Sequence, residues 1–289
     1  MNSGDYIEDI LGEKIANGKL FLDNERYSKF KISTDSGKEY FVKRDSVSRK
    51  FQCELNGIRE IADAGVVRTP KVIFADENLI LLEFIEHTTP GKGFFQKFGR
   101  TLARLHRKEN IHFGFYEDNF IGDTHQLNIS VGSEKVNWAD FYFNKRIMFQ
   151  FRLCEEKKLA SATMLKGLIL AEKNIMRVLE TVDEKPALLH GDLWSGNFIC
   201  DKENNPVLID PAVYYGHREA DLAMTKLFGG FHPDFYISYN EEYPLSQGWF
   251  EREAVYKLYH ILNHLNLFGP SYLNEAESLI NYYICRELN

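Results

Sequence analysis

The chain has little of what several large classes of protein depend on. It has no basic excess, since 35 lysines and arginines stand against 42 aspartates and glutamates, a formal net charge of −7. Proteins that hold nucleic acid by its phosphates usually show a basic face, so we expect no nucleic-acid partner. No apolar run approaches membrane-spanning length, and the N-terminus lacks the pattern of a signal peptide. These absences predict a cytoplasmic protein with no membrane partner.

Cysteine is also scarce. The four cysteines are far apart and form no C-x-x-C pair, which disfavours a zinc site or a disulfide framework. They are Cys53, Cys154, Cys200 and Cys285. Reduced thiols fit a cytoplasmic protein.

Motifs of two enzyme classes are missing. His260 and His264 stand four residues apart, but Ile261 occupies the position where an H-E-x-x-H zinc motif needs glutamate. A core or interface role is therefore favoured for both histidines. Ser195 lies in no G-x-S-x-G elbow, which removes the main argument for a serine hydrolase.

The most informative segment is 188–211, which reads LLHGDLWSGNFICDKENNPVLIDP. Two short apolar runs, Phe198–Cys200 and Val207–Ile209, flank a polar, turn-rich stretch, and this pattern predicts a β-hairpin. Antiparallel pairing is expected to place Asn197 opposite Asp210, so that an amide oxygen and a carboxylate converge. One amide and one carboxylate suit magnesium that is bound together with nucleotide phosphates.

Asp192 lies five residues before Asn197, and the same interval separates the aspartate and asparagine of the kinase catalytic loop. We therefore expect Asp192 to accept the proton of an attacking hydroxyl, while Asn197 and Asp210 hold magnesium. A surface turn rich in Asp and Asn is the commoner fate of such residues. Three such groups in this order nevertheless favour a functional site.

The first ninety residues predict a small lobe with a nucleotide-binding lysine. After a helix near Tyr6 to Ile15, a hairpin formed by residues 30–32 and 40–43 ends at Lys43, and a helix follows from about Ser46 to Ala64. Glu54 falls on the inward face of this helix. A carboxylate turned toward a core needs a cation, and we expect that cation to be Lys43.

The segment His190–Asn197, together with Asp210–Ala212, resembles the catalytic and metal-binding loops of the aminoglycoside phosphotransferase-like branch of the protein-kinase-like fold. The continuation through Tyr215–Met224 and Leu227–Phe231 resembles the fructosamine kinase (ketosamine-3-kinase) family, and the likeness runs over nearly the whole chain.

This resemblance implies an α+β, bilobal fold. A small N-terminal lobe with an antiparallel sheet is expected over residues 1–86, before the polar Pro/Gly segment that follows the apolar strand ending at Ile85. A larger helical C-terminal lobe is expected over residues 87–289. Its predicted helices lie around Phe94 to Arg107, Ala139 to Lys158, Thr163 to Thr181 and Phe250 to Leu267.

The resemblance also implies an activity. It is ATP-dependent, Mg2+-requiring transfer of a phosphoryl group to a hydroxyl of a ketoamine, the adduct formed when a sugar glycates an amine. In the family, phosphorylation beside the ketoamine carbonyl makes the adduct fall apart, which implies protein deglycation or ketoamine metabolism. The substrate could be a small molecule or linked to a protein, and the oligomeric state stays open.

Residue roles follow from the resemblance by position. Lys43 would contact the α/β-phosphates and Glu54 would hold it there. The inter-lobe hinge, whose backbone would bind the adenine edge, would be Glu83, Phe84 and Ile85. Trp194 would form a platform for the sugar-like substrate. His217 and Glu219 would be substrate contacts, although bracing of the following helix suits Glu219 equally well.

One departure from the kinase pattern leaves two alternatives open. Between the first helix and Phe30 the chain has only Gly18 and no G-x-G-x-x-G motif, so coverage of the phosphates by this loop is not predicted. The first alternative is a kinase of the same fold that acts on an aminoglycoside, a choline-like alcohol or another sugar. The second is a catalytically weak, nucleotide-binding module.

Overall fold

The N-terminal part of the chain is built on one antiparallel sheet. The computed structural model describes residues 3–23, 27–46, 49–181 and 183–285. Five strands pair in the order β1-β2-β3-β5-β4. They are β1 (Ile15–Asp23), β2 (Tyr27–Thr34), β3 (Glu39–Asp45), β4 (Val72–Ala75) and β5 (Leu79–Glu83), with helix α1 (Ser3–Leu11) before them.

Helix α2 (Lys50–Asp63) packs on one face of this sheet. Its apolar positions recur at helical spacing, so Phe51 and Ile58 lie buried against Ile80 and Leu82 of strand β5. The predicted start of this helix at about Ser46 is wrong, because Ser46 lies in a bend and the helix begins at Lys50. Residues 47 and 48 lie outside the described residues.

The rest of the chain is mainly helical, with a few short strands that carry the polar motifs. Its helices are α3 (Phe94–Leu105), α4 (Trp138–Tyr142), α5 (Phe149–Glu156), α6 (Ala162–Leu179), α7 (Glu219–Thr225), α8 (Pro233–Glu242), α9 (Trp249–Phe268) and α10 (Leu273–Ile284). Its strands are β6 (His87–Thr88), β7 (Asn119–Ile121), β8 (Thr124–Gln126), β9 (Ala187–Leu189), β10 (Phe198–Asp201), β11 (Pro206–Leu208) and β12 (Tyr214–Gly216). A π-helical turn, Phe143–Met148, joins α4 to α5 inside the predicted 139–158 helix.

We propose that the boundary between the lobes lies after residue 86. The five-stranded sheet ends with Glu83, whereas β6 pairs with β10 of the β10–β11 hairpin. No helix within the described ranges is long and apolar enough to cross a membrane.

The N-terminal prediction was wrong in one respect. The first helix ends at Leu11 rather than near Ile15, because Gly12 adopts a left-handed backbone with φ of +65° and stops it. Ile15 instead opens β1, a strand that the sequence did not predict. Gly18 lies inside β1 opposite Ile32 of β2.

Candidate active site

The proposed catalytic and metal loops leave the same small sheet. Strands β9 and β12 pair antiparallel, with Leu189 opposite Tyr214. The two loops stay in register beyond the strands, since the Ala212 N–H donates to the His190 carbonyl at 2.8 Å. Gly191 permits this approach, because its φ is +83° and a Cβ there would lie 1.9 Å from the Ala212 carbonyl oxygen. The backbone therefore fixes the spacing of the two loops.

Asp192 and Asn197 are in direct contact. The Asn197 side-chain Nδ2 donates to the Asp192 backbone oxygen at 2.8 Å and to its carboxylate Oδ2 at 3.0 Å. Both donors of one amide are thus directed at Asp192, and the amide oxygen Oδ1 is left to accept or to ligate. Asn197 is buried, so its orientation is fixed.

Asp192 has the properties of a general base at neutral pH. Burial raises the pKa of its carboxyl from 3.8 to about 7, the bond from Asn197 lowers it, and the negative charges of Asp210 and Asp221 add to the rise. A base whose pKa lies near the working pH combines a large ionised fraction with enough basicity to take a proton.

Asp210 lies one residue further along than predicted. The hairpin pairs Phe198 with Leu208, and the Ile209 N–H donates to the Asn197 carbonyl at 3.1 Å, so Ile209 rather than Asp210 stands opposite Asn197. Asp210 follows with a left-handed backbone, φ +54°, a conformation that aspartate tolerates better than most residues. It still lines the same cavity as Asn197.

The predicted lysine–glutamate pair is confirmed as a contact. Lys43 Nζ lies 2.6 Å from Glu54 Oε1 and 2.5 Å from Asp210 Oδ1. Burial raises the pKa of Glu54, and the Lys43 charge offsets this only in part. Burial would lower the pKa of Lys43, but Asp210 and Glu54 raise it well above its ordinary value. Lys43 is therefore a fixed cation among the three groups.

Helix α2 holds Glu54 in place by a close packing contact. Gly57, one turn after Glu54, faces the end of the metal loop, where a Cβ would meet the Val213 side chain at 3.2 Å and Pro211 at 3.4 Å. The helix can therefore lie directly against the segment that carries Asp210.

Asp221 fixes the backbone at the start of the loop that carries Asp192. Its carboxylate accepts from the backbone N–H groups of His190 and Gly191, both at 2.8 Å, and lies 3.2 Å from His106 Nε2. The His190 ring receives the Asp192 N–H on Nδ1 at 3.3 Å and donates from Nε2 to the Ile209 carbonyl at 2.9 Å. Burial lowers the pKa of His190, so the ring is a neutral anchor.

Two amide side chains, which the sequence did not reveal as part of the site, brace the segment after Asp210. Gln126 Nε2 donates to the Ala212 carbonyl at 2.9 Å, and Asn119 Nδ2 donates to the Val213 carbonyl at 2.8 Å. The Tyr259 hydroxyl in turn donates to Gln126 at 2.8 Å. The strands β7 and β8 that carry these amides are too short to give a sequence signal.

One cavity of about 860 Å³ lies between these elements, and Asn119 is among the residues that line it. Its walls come from the β1–β2 hairpin, β3, α2, the β7–β8 hairpin, the two loops and the end of α9. Of the predicted site residues, the cavity brings together Lys43, Glu54, Asp192, Trp194, Asn197 and Asp210. Lys29 also lines it, although no motif or spacing in the sequence singles out this residue.

Trp194 starts an aromatic rim on this cavity. Its ring covers the backbone of Gly196, where a Cβ would clash with it at 2.4 Å, and it meets Phe228 edge-on at 6.1 Å between ring centres. Phe228 contacts His264, and His264 contacts Phe268, which also lines the cavity. Phe228 and Phe268 are 48% and 63% exposed, so the rim offers apolar surface at the entrance.

The structure does not bring His217 and Glu219 to the cavity. Glu219 accepts two bonds from Arg252, each of 2.7 Å, and is buried with it at the start of α7. His217 is also buried, with Nδ1 3.0 Å from the Tyr256 hydroxyl and Nε2 3.5 Å from Glu184. Their polar character reflects a buried ion-pair network, a role the sequence pattern allows equally well for Glu219.

The predicted hinge residues also lie away from the cavity lining. The Glu83 N–H donates to the Lys71 carbonyl at 2.8 Å, and the Phe84 N–H donates to the Glu39 carbonyl at 3.3 Å. These two amides continue the pairing of β5 with the segments on either side of it. Adenine recognition by this segment therefore stays a proposal, and it would use groups other than these two N–H donors.

The donor set fits a divalent cation that is shared with phosphates. The carboxylate of Asp210 stays ionised, because Lys43 and Lys29 outweigh the effect of burial and lower its pKa, and Asn197 presents a free amide oxygen. Within the described part of the chain, no group of three His, Cys, Asp or Glu side chains could hold a metal alone. Magnesium would therefore need the oxygens of a nucleotide.

Comparison with known proteins gives a consistent result. A family model described as "Fructosamine kinase" matches residues 22–286. A "Probable ketoamine kinase" of Enterococcus faecium is 35% identical over 96% of this chain and 99% of its own length. The chloroplastic "Protein-ribulosamine 3-kinase" of Arabidopsis thaliana is 39% identical over 87% of this chain and 77% of its own length.

Solved structures agree on the fold. A structure titled "putative fructosamine-3-kinase" from Thermobifida fusca superposes with a TM-score of 0.86 at 27% identity and covers 99% of both chains. An aminoglycoside phosphotransferase gives a TM-score of 0.65 at 14% identity, with 97% of this chain and 98% of its own covered. The second likeness shows the bilobal, protein-kinase-like fold alone.

Proposed function

This chain belongs to the fructosamine kinase family, and on that premise we propose that it transfers the γ-phosphoryl group of ATP to a hydroxyl of a ketoamine. Two relatives are named for ketoamines and ribulosamines, so the acceptor is a ketone-bearing sugar joined to an amine. The name of the second relative specifies the 3-hydroxyl. We assign the same hydroxyl, which lies beside the ketoamine carbonyl, to this chain.

The observation that carries the proposal is the convergence of five groups on one cavity: Lys43, Glu54, Asp192, Asn197 and Asp210. Phosphoryl transfer needs mainly positioning and neutralisation of charge. The pair of Lys43 and Glu54 would supply a fixed cation to the phosphates. Asn197 and Asp210 would hold Mg2+, which neutralises phosphate charge when bound.

The transfer forms one bond and breaks another. The acceptor oxygen bonds to the γ-phosphorus as the bond from that phosphorus to the ADP oxygen breaks, and the hydroxyl proton passes to Asp192. Its raised pKa suits this step, since the group is ionised near neutral pH and still basic. The aromatic face of Trp194 would carry the sugar beside the base.

The test is ADP release in the presence of Mg-ATP and a defined acceptor. We expect release with fructosyl-lysine or ribulosyl-lysine and with the same adducts in a peptide, and loss of release in Asp192→Ala. Phosphorus NMR would locate the phosphate on the sugar. Turnover with an aminoglycoside or a free sugar, but with no ketoamine, would overturn the assignment of the acceptor.

A cytoplasmic location is part of the proposal. All four cysteines are free, and Cys154 and Cys200 are buried as thiols. Reduced thiols and a ready supply of ATP are both found in that compartment. Deglycation of proteins or small amines there is the role that we propose.

A further inference from the structure

Lys29 is a second lysine beside Asp210. It lies on β2 directly opposite Lys43 of β3, so the two side chains stand next to each other on paired strands. Lys29 Nζ lies 3.3 Å from Asp210 Oδ2, while Lys43 takes the other oxygen, Oδ1, of the same carboxylate. Two cations therefore meet at the one aspartate that is expected to ligate magnesium.

The two lysines differ in how they are held. Lys43 is 2% exposed and has Glu54 as a second partner. Lys29 is 29% exposed and lines the cavity, and among the ion pairs of the described residues Asp210 is its one carboxylate partner. If Asp210 turns its oxygens to a metal, Lys43 keeps a counter-charge and Lys29 loses its own. An ammonium in that position needs another anion.

The sequence of this region also lacks a glycine-rich motif. Kinases cover the nucleotide phosphates with a glycine-rich loop. Here Gly18 lies inside β1 opposite Ile32 and does not line the cavity. Lys29 pairs with Leu22 of β1, and both residues line the cavity in which the phosphates would bind. A lysine offers three N–H donors and a full positive charge.

We propose that Lys29 binds the terminal phosphates of the nucleotide and takes over the part that a glycine-rich loop plays elsewhere. This inference rests on the nucleotide of the proposed function but not on its acceptor. In the nucleotide-free protein, Asp210 serves as the counter-ion of Lys29. Entry of a polyphosphate then exchanges one anion for another, which leaves Asp210 available to the metal.

The experiment is calorimetric titration of the whole protein with ATP and with AMP, each with Mg2+ and with EDTA. Lys29→Met removes the charge and keeps much of the side-chain volume. We expect its Kd for ATP to rise roughly tenfold or more, as for loss of a charge-assisted hydrogen bond, while its Kd for AMP changes less than about twofold. Lys29→Arg should recover most of the affinity. The effect should persist in EDTA, because the lysine acts on the phosphate directly.

The matched control is Lys19→Met, an exposed lysine on the partner strand β1 that does not line the cavity. It changes the net charge equally and should leave both affinities unchanged. If Lys29 merely braces Asp210, Lys29→Met would bind ATP as well as the wild type in EDTA, and that result would overturn the inference. Retained AMP binding shows that a variant is folded. If Lys29→Met does not fold, Lys29→Gln takes its place in the experiment.

These titrations contain no ketoamine, which separates the two proposals. Wild-type protein that binds ATP through Lys29 but phosphorylates no ketoamine would refute the proposed acceptor and support the role of Lys29. If the wild type phosphorylates a ketoamine and Lys29→Met binds ATP with unchanged affinity, the proposed acceptor is supported and the role of Lys29 is refuted. A wild-type protein that binds no ATP would refute both.

Discussion

Replacing Asp192 by asparagine should make the protein more stable and inactive at the same time. The carboxyl has a pKa near 7 in the fold against an ordinary value of 3.8, so the folded state prefers its neutral form. The stability linked to the neutral form is fully present below about pH 3.8 and is lost as the pH rises through about 7. Asparagine imitates the neutral form at every pH and therefore avoids this loss.

The size of the stabilisation expected for Asp192→Asn follows from the rise in the pKa of Asp192. The difference between 7 and 3.8 corresponds to at most about 4 kcal/mol of unfolding free energy above pH 7. Asp192 is partly exposed, and screening by solvent reduces this to about 2 kcal/mol, or about 4 °C in Tm for a chain of this length. The Asn197 amide can still donate to the oxygen of the new side chain, so no buried donor is left unpaired.

The assay is thermal unfolding of both proteins in EDTA between about pH 4 and pH 9, followed by circular dichroism. The Tm difference in favour of Asp192→Asn should be near zero at the acid end, grow through neutrality and level off above it. The kcat/KM of the wild type for the ketoamine should rise over the same range, and the variant should lose at least about 10²-fold. A Tm difference that is independent of pH, or that favours the wild type above pH 7, would refute the reasoning.

Asp201 provides a control of opposite sign. Burial alone would raise its pKa, but bonds from Asn205 and Arg68 lower it. The charged form therefore stabilises the fold above the ordinary pKa, and this contribution is lost as the pH falls through the folded pKa. Asp201→Asn should destabilise the protein at pH 8, and the loss should shrink toward acid pH.

Three further substitutions test the site. Glu54→Gln removes one carboxylate partner of Lys43 and should lower kcat/KM roughly 10- to 100-fold without abolishing ATP binding, and an unchanged rate would count against the pair. Gly191→Ala should lower the unfolding free energy in urea by about 3 kcal/mol or more, because the φ of +83° and the Ala212 carbonyl both exclude a Cβ; near-wild-type stability would contradict this account. Trp194→Ala should raise the KM for the ketoamine roughly tenfold or more while the KM for ATP stays within about twofold, and equal changes in both would argue against a sugar platform.

Sequence reasoning was most reliable where one local pattern determines the geometry. The catalytic hairpin follows from two apolar runs around a polar turn, and the contact between Lys43 and Glu54 follows from a buried carboxylate on a helical stripe. The register error of one residue at Asp210 has a clear cause. Pro206, which the sequence pattern placed in the turn, pairs with Cys200 instead, so the turn is one residue shorter than predicted and the second strand shifts by one position.

The rest depends on contacts between distant segments. Lys29 and Asp210 are 181 residues apart. Asp221 accepts a hydrogen bond from the Gly191 amide, which lies 30 residues away. No local spacing in the sequence predicts either contact. His217 and Glu219 show the converse error. Polar residues just after a metal-binding motif suggest a substrate site, but here Arg252 on α9 turns Glu219 into a buried brace. Polarity alone does not distinguish the two roles.

The loops that carry Asp192 and Asp210 extend from one small sheet, and this arrangement affects how the range of accepted ketoamines can evolve. Asp192 and Asp210, the proposed base and the proposed metal ligand, are tied to each other through β9 and β12. The aromatic rim beyond Trp194 comes from the segment after α7 and from the end of α9. Substitutions at Phe228 or Phe268 can therefore reshape the entrance without moving the reacting groups. Such substitutions can change the preferred glycated amine while the groups that transfer the phosphoryl group stay in place.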